Sequence, residues 1–261
     1  MNITEDFLQK SADILETVRK QQSQIRQAAE MFAATILEGR MVHIFGSGHS
    51  RILVEEMWPR YGSFPGFNPI VELSLTFHNL VVGANGQRQA MFLENVSGFA
   101  DRILRNFDLK ETDTALIISS SGCNVVPIEM AEIFRQNKIR VVSIISKIHS
   151  DKSVSNRSDG KKLGDFSDLV LDTGAPAGDA MVYVPGLDTP VAPGSTVGGT
   201  LLINCIKAEL AGILTAAGHP PKVLSSAVVV GAERAKTLFE SAYDEHAHRL
   251  TKLFENVGKE K

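Results

Sequence analysis

Residues 115–131 read "ALIISSSGCNVVPIEMA". Apolar, β-favouring residues run straight into three serines and a glycine, and a helix-like pattern starts directly after them. The same design stands earlier, at residues 41–57, as "MVHIFGSGHSRILVEEM". Each is a strand, a polar turn and a helix in close succession, the unit from which parallel sheets are wound.

The surrounding sequence extends the pattern. Phe7, Leu8, Ile14, Leu15, Val18, Ile25, Phe32 and Ile36 fall at three- and four-residue steps, which predicts helix over residues 4–37 with a bend at the polar "RKQQSQIRQ". Further strands are expected at Ile70–Leu75 and in "TDTALIIS", "RVVSIIS" and "DLVLDTG". Between them, "HNLVVGANGQRQ" predicts a turn leading into an amphipathic helix, and Pro127–Gln136 another helix. "HSDKSVSNRSDGKKLGD" reads as a polar loop, "DAMVYVPGLDTPVAPGS" as a small ribbon, Ser195–Ala217 as a helix, and residues 222–257 as helical again. Strands alternating with helices make a doubly wound α/β fold with a mostly parallel sheet. One domain is expected over residues 1–261, its core at about residues 32–217. In such folds ligands sit beyond the carboxyl ends of the strands, where both polar turns fall.

Composition narrows the function. Charged residues make up 22% and the net charge is −3, without the basic face that nucleic-acid binding needs. Two cysteines, Cys123 and Cys205, predict no disulfide framework and suit a reducing cytoplasm. "MNITEDFLQK" does not read as a secretory leader, and no apolar run is taken for a membrane span.

In "SSSGCN", backbone N–H groups at a helix start combine with serine hydroxyls and a permissive glycine, Gly122, and together they favour an anion. A bound phosphate satisfies such donors; the plainer alternative is that Ser119, Ser120 and Ser121 only cap the turn. In "GSGHS", Gly46 and Gly48 match two glycines of the dinucleotide fingerprint, but Arg51 replaces the third and no ribose-binding acid follows at the expected spacing. No G-K-[ST] phosphate loop occurs either. No cofactor or metal is expected. His246 and His248 lie two apart on different helix faces, and no other Cys or His spacing suits a metal.

Together the two turns resemble the sugar isomerase (SIS) domain family, with its G-x-G-x-S and S-x-S-G-x-[STN] turns. Here these read Gly46-Ser47-Gly48-His49-Ser50 and Ser119-Ser120-Ser121-Gly122-Cys123-Asn124. "GSGHSRILVEEM" and "SGCNVVPIEMA" are similar to one branch of it, related in turn to phosphoheptose isomerases and N-acetylmuramic acid 6-phosphate etherases. The resemblance implies a three-layer αβα fold and a bound sugar phosphate. It also implies a homodimer or larger assembly, and either an isomerase or lyase working by carboxylate acid/base chemistry or a non-catalytic sensor. By the same resemblance, Ser50, Ser119, Ser120, Ser121, Gly122 and Asn124 hold the phosphate. The Ser/Thr-rich helix start at Ser195 and Thr196 joins Ser47 and Glu55 in the pocket. Glu56 matches a catalytic glutamate of the isomerases and Glu94 one of the etherases. His49, inside the first turn, lies close to the ligand. His78 is a further candidate for a site shared between subunits. Lys207 and Glu209 fit a solvated helix face as well as a pocket.

Overall fold

The structure is a computed structural model that describes residues 2–76 and 87–258. The N-terminal helical stretch is two helices, α1 (Ile3–Arg19) and α2 (Gln22–Leu37), broken where the polar residues predicted a bend. The Asn2 side chain caps α1 by accepting from Thr4 N at 2.9 Å. Strand β1 (Val42–Gly46) is followed by a 3₁₀ turn at Gly48–Ser50 and helix α3 (Arg51–Met57).

β2 is Phe67–Ile70, earlier than the expected Ile70–Leu75, and Leu73–Thr76 is instead a helical turn, α4. Glu72 explains the difference. Its carboxylate accepts from Ser74 N at 3.1 Å and Ser74 Oγ at 2.7 Å, so the chain turns before Leu75. The turn expected in residues 78–86 and His78 lie outside the described residues. The amphipathic helix beyond it is two helices, α5 (Gln87–Leu93) and α6 (Phe99–Leu104), separated at Gly98, whose φ is 81°.

Strand β3 (Thr114–Ile118), helix α7 (Val125–Gln136) and strand β4 (Arg140–Ile145) follow. The polar loop after them opens with a helix, α8 (Lys147–Lys152), because Ser146 Oγ accepts from His149 N at 3.2 Å. Strand β5 (Leu169–Asp172) completes the main sheet, and β6 (Ala180–Val182) pairs antiparallel with β7 (Val191–Pro193) in the expected ribbon. Helix α9 (Ser195–Ala216) precedes a non-helical stretch, a short turn α10 (Ala227–Val230) and the long α11 (Ala232–Phe254).

The five main strands are all parallel, in the order β2-β1-β3-β4-β5. Alternate side chains serve opposite faces. Val42, Ile44, Leu116, Ile118, Val142 and Ile144 pack under α2, α3 and α9. Phe45, Ala115, Ile117, Val141 and Ile145 pack on α6 and α7. Among the described residues, α9 is long and apolar enough to cross a membrane by length and composition, although the sequence alone had suggested no such run. In this fold it is a core helix whose Leu202, Ile203, Ile206 and Leu210 are buried against the sheet layer. Its "VGG" allows that closeness: a Cβ on Gly198 would stand 1.9 Å from Thr173 O, and one on Gly199 2.3 Å from Leu53 Cδ1.

The strand order reverses between β1 and β3, since the chain winds outward to β2 on one side and to β4 and β5 on the other. Loops leaving neighbouring strands in opposite directions open a crevice at that point. The two serine turns border it.

Candidate functional site

A cleft of about 250 Å³ lies at this switch point, between the turns after β1 and β3 and the starts of α8 and α9. Ser47, His49, Ser50, Ser119, Ser120, Ser121, Asn124, Glu94, Ser195 and Thr196 all border it, so most of the residues read from sequence meet there. It is smaller than the ~300–1,000 Å³ of drug-sized pockets, which suits a metabolite.

The serines divide by their partners. Ser119 Oγ accepts from Gly122 N and Ser121 Oγ from Cys123 N, both at 3.2 Å, so these two do shape their own turn. A hydroxyl that accepts still has its O–H to donate. Ser120 differs: its Oγ is buried and has no hydrogen-bond partner among the described residues. Gly122, expected on the phosphate, does not line the cleft. It is buried at φ 63°, and a Cβ there would meet Leu163 and Ile145, so its role is the turn and the packing beneath it.

Glu94, directly after α5, lines the same cleft. Ser47 Oγ donates to its Oε2 at 2.8 Å, and Val126 N donates to its backbone carbonyl at 2.9 Å. Burial pushes the Glu94 carboxyl above the usual range, while hydrogen bonds from the Ser47 and Asn124 side chains hold it down in part. Asn124, expected on the phosphate, thus also braces Glu94, while its own Oδ1 accepts from Asn156 Nδ2 at 3.0 Å. A half-buried carboxyl with a raised pKa, hydrogen-bonded by hydroxyl and amide donors in a cleft, has the chemistry of a general base or acid.

Glu55 and Glu56 do not reach this cleft. On α3 the buried residues Leu53, Val54 and Met57 take the core face, which turns both glutamates towards a separate recess beside Arg60, Tyr61, Phe239 and Tyr243. There Glu56 pairs with Arg60 and accepts from Asn204 Nδ2 at 2.8 Å, and the Asn204 and Arg60 hydrogen bonds outweigh burial to hold its carboxyl low. Lys207 Nζ donates to the Glu56 carbonyl at 2.8 Å, so this group ties α3 to α9. Glu209 lies on the outside, 3.4 Å from Arg26.

His149 and Asp179 are among the cleft residues that were not singled out in the sequence. His149, in the first turn of α8, borders it, and its Nδ1 is buried with no partner among the described residues. Asp179, at the base of the ribbon, borders it with φ 70°, a backbone state rare for residues other than glycine. Position relative to the carboxyl end of β4 was the available clue for His149, since β4 adjoins β3. Nothing in the sequence marks the left-handed backbone of Asp179.

A doubly wound sheet with paired serine turns at its switch point defines the class, and the comparisons agree. The model of the SIS domain matches residues 6–146, and the chain belongs to that family. A UPF0309 protein of Listeria innocua is 32% identical over 85% of this chain and 87% of its own length. A UPF0309 protein of Halalkalibacterium halodurans is 30% identical over 91% of this chain and 93% of its own. Among solved structures, a phosphoheptose isomerase from Francisella tularensis covers 80% of this chain and 95% of its own, at 16% identity and a TM-score of 0.50, a likeness of fold.

Proposed function

We propose that the chain binds a phosphorylated sugar in this cleft and moves a proton on it, as an isomerase or a related lyase. The phosphate lies against Ser50 and Ser119–Ser121, and Glu94, which lines the same cleft, takes the base role. The observation that carries this reading is the pairing of a half-buried, pKa-raised Glu94 with a wall of hydroxyls, among them the unpartnered Ser120. Buried polar atoms without partners are uncommon in folded proteins and are expected to find one when a ligand arrives. In the reaction Glu94 removes the proton from the carbon next to the sugar carbonyl. The enediol that results either regains a proton on the neighbouring carbon, giving the isomer, or expels a substituent, giving the lyase product.

Both outcomes pass through exchange of that carbon-bound hydrogen. Aldose and ketose phosphates incubated with the protein in D₂O and followed by NMR should gain deuterium there, and Glu94→Gln should abolish the gain while leaving binding intact. Binding without any exchange by the native protein would contradict catalysis and leave a phosphosugar sensor. A homo-oligomer in the cytoplasm belongs to the same reading, and analytical ultracentrifugation tests the assembly.

A further inference from the structure

The polar stretch after α8, residues 153–162, is fastened to the second serine turn. Asn156 N donates to the Cys123 carbonyl at 2.9 Å, and Leu163 N, just beyond the stretch, donates to the Gly122 carbonyl at 2.8 Å. The Asn156 side chain is exposed and does not line the cleft. Its Nδ2 donates to Asn95 Oδ1 at 2.9 Å and to Asn124 Oδ1 at 3.0 Å. Both acceptors bear on Glu94. Asn95 follows it in the chain; its Oδ1 also accepts from Val125 N at 3.5 Å, and its Nδ2 donates to the Met91 carbonyl at 2.9 Å. Asn124 hydrogen-bonds the Glu94 carboxyl through its side chain.

A side-chain amide has one accepting end and one donating end, so the partner of one end decides what the other offers. An ionised carboxylate only accepts. With Asn156 on its Oδ1, Asn124 has Nδ2 for Glu94; turned over, it would set an oxygen against that carboxylate. We infer that Asn156 is a positioning residue for Glu94: from outside the cleft it fixes which end of the Asn124 amide faces the carboxylate. This rests on the reading of Glu94 as the base. A carboxylate that keeps a donor is favoured in its charged form, the form that takes a proton from carbon. Among the described residues, His49, His149 and Asp179 are the other titratable groups that border the cleft. Along the polar stretch, Arg157 pairs with Glu132 and Asp159, each at 2.7 Å, and Lys161 lies over the Phe166 ring. The Glu94 carboxyl responds to burial and to the Ser47 and Asn124 side chains rather than to these charges.

The test is a carbon-13 NMR titration of the Glu94 side-chain carboxyl in the full chain without substrate, its signal assigned by its loss in Glu94→Gln. Asn156→Asp replaces the donor with an acceptor of the same shape, so Asn124 turns its Nδ2 to the new carboxylate and its oxygen to Glu94. The Glu94 pKa should then rise by about half a pH unit or more. Asn156→Ala, which removes the donor without adding charge, should give a smaller rise. In an Asn124→Ala background neither change should move Glu94, because the relay is gone. An unchanged titration in both single variants would overturn the inference. A rise with Asn156→Asp that persists without Asn124 would overturn it too, since the new charge then acts through space. Deuterium exchange on aldose and ketose phosphates separates this from the assignment of the base. Exchange whose acid limb moves up in Asn156→Asp together with the Glu94 titration would support both. No exchange by the native protein, with the titrations as expected, would overturn the reading of Glu94 as the base and leave its positioning by Asn156 in place.

Discussion

Ser120 and Glu94 are best separated by what each does in the empty cleft. The Ser120 hydroxyl is buried and without a partner among the described residues, so removing it costs the folded chain little. A hydrogen bond to a charged phosphate is worth about 1.5–3 kcal/mol, or ten-fold and more in affinity. Ser120→Ala should therefore leave the melting temperature unchanged or slightly raised and weaken sugar-phosphate binding at least ten-fold by calorimetry. Ser119→Ala, which removes the acceptor for Gly122 N, should lower the melting temperature as well. Glu94 behaves differently because its pKa is raised on folding. The folded state holds its proton more tightly than the unfolded one, so ionisation costs stability as pH rises from about 4.3 through the raised value. Glu94→Gln is free of that cost. Melting temperatures should match the native protein at pH 4, exceed it at pH 7, and accompany a ~10²–10⁴-fold loss of turnover.

At the scale of elements, the close approach of α9 to the end of β5 is the most exacting contact. Gly198→Ala would drive a methyl onto the Thr173 carbonyl. The expected loss is about 1–3 kcal/mol, seen as a lowered denaturation midpoint with an unchanged slope. Local periodicity made most elements legible: the break in the first helices, β1, β3 to β5, the ribbon and α9 all stand where apolar spacing put them. It failed where a single side chain decides the backbone. Glu72 turns the chain before Leu75, and Ser146 starts a helix inside a polar loop. The candidate site divides the same way. Its serine turns follow from local sequence. The position of Glu56 outside the cleft follows from the phase of a seven-residue helix, which only packing against the core sets. His149 and Asp179 arrive by tertiary folding, from segments that carry no local signature.

The whole molecule is locked at the end opposite the cleft. Arg40 pairs with Asp113 at 2.7 Å and donates to the carbonyls of Asp108 and Lys252, which joins α2, the start of β3 and α11. Burial alone would raise the Asp113 carboxyl, but hydrogen bonds from His43 and Arg40 outweigh it and hold the pKa below the usual range. A depressed carboxylate stabilises the fold above its unfolded value of about 3.9, and that contribution disappears as pH falls through the folded value. Asp113→Asn leaves Arg40 buried without its partner, at a cost of about 3–5 kcal/mol. The variant should melt on the order of 10 °C lower at pH 7, and the difference should shrink in acid as the native protein loses the same interaction. Sugar-phosphate binding at the other end can be read by a thermal-shift screen with sugar monophosphates, the same sugars unphosphorylated, inorganic phosphate and NAD. Ligand at ~100 times its Kd adds about 2.7 kcal/mol, or roughly 5–10 °C at this size. Phosphorylated sugars should give such a shift and their unphosphorylated forms none. Equal shifts for both, a shift with NAD alone, or no shift at all would contradict that expectation.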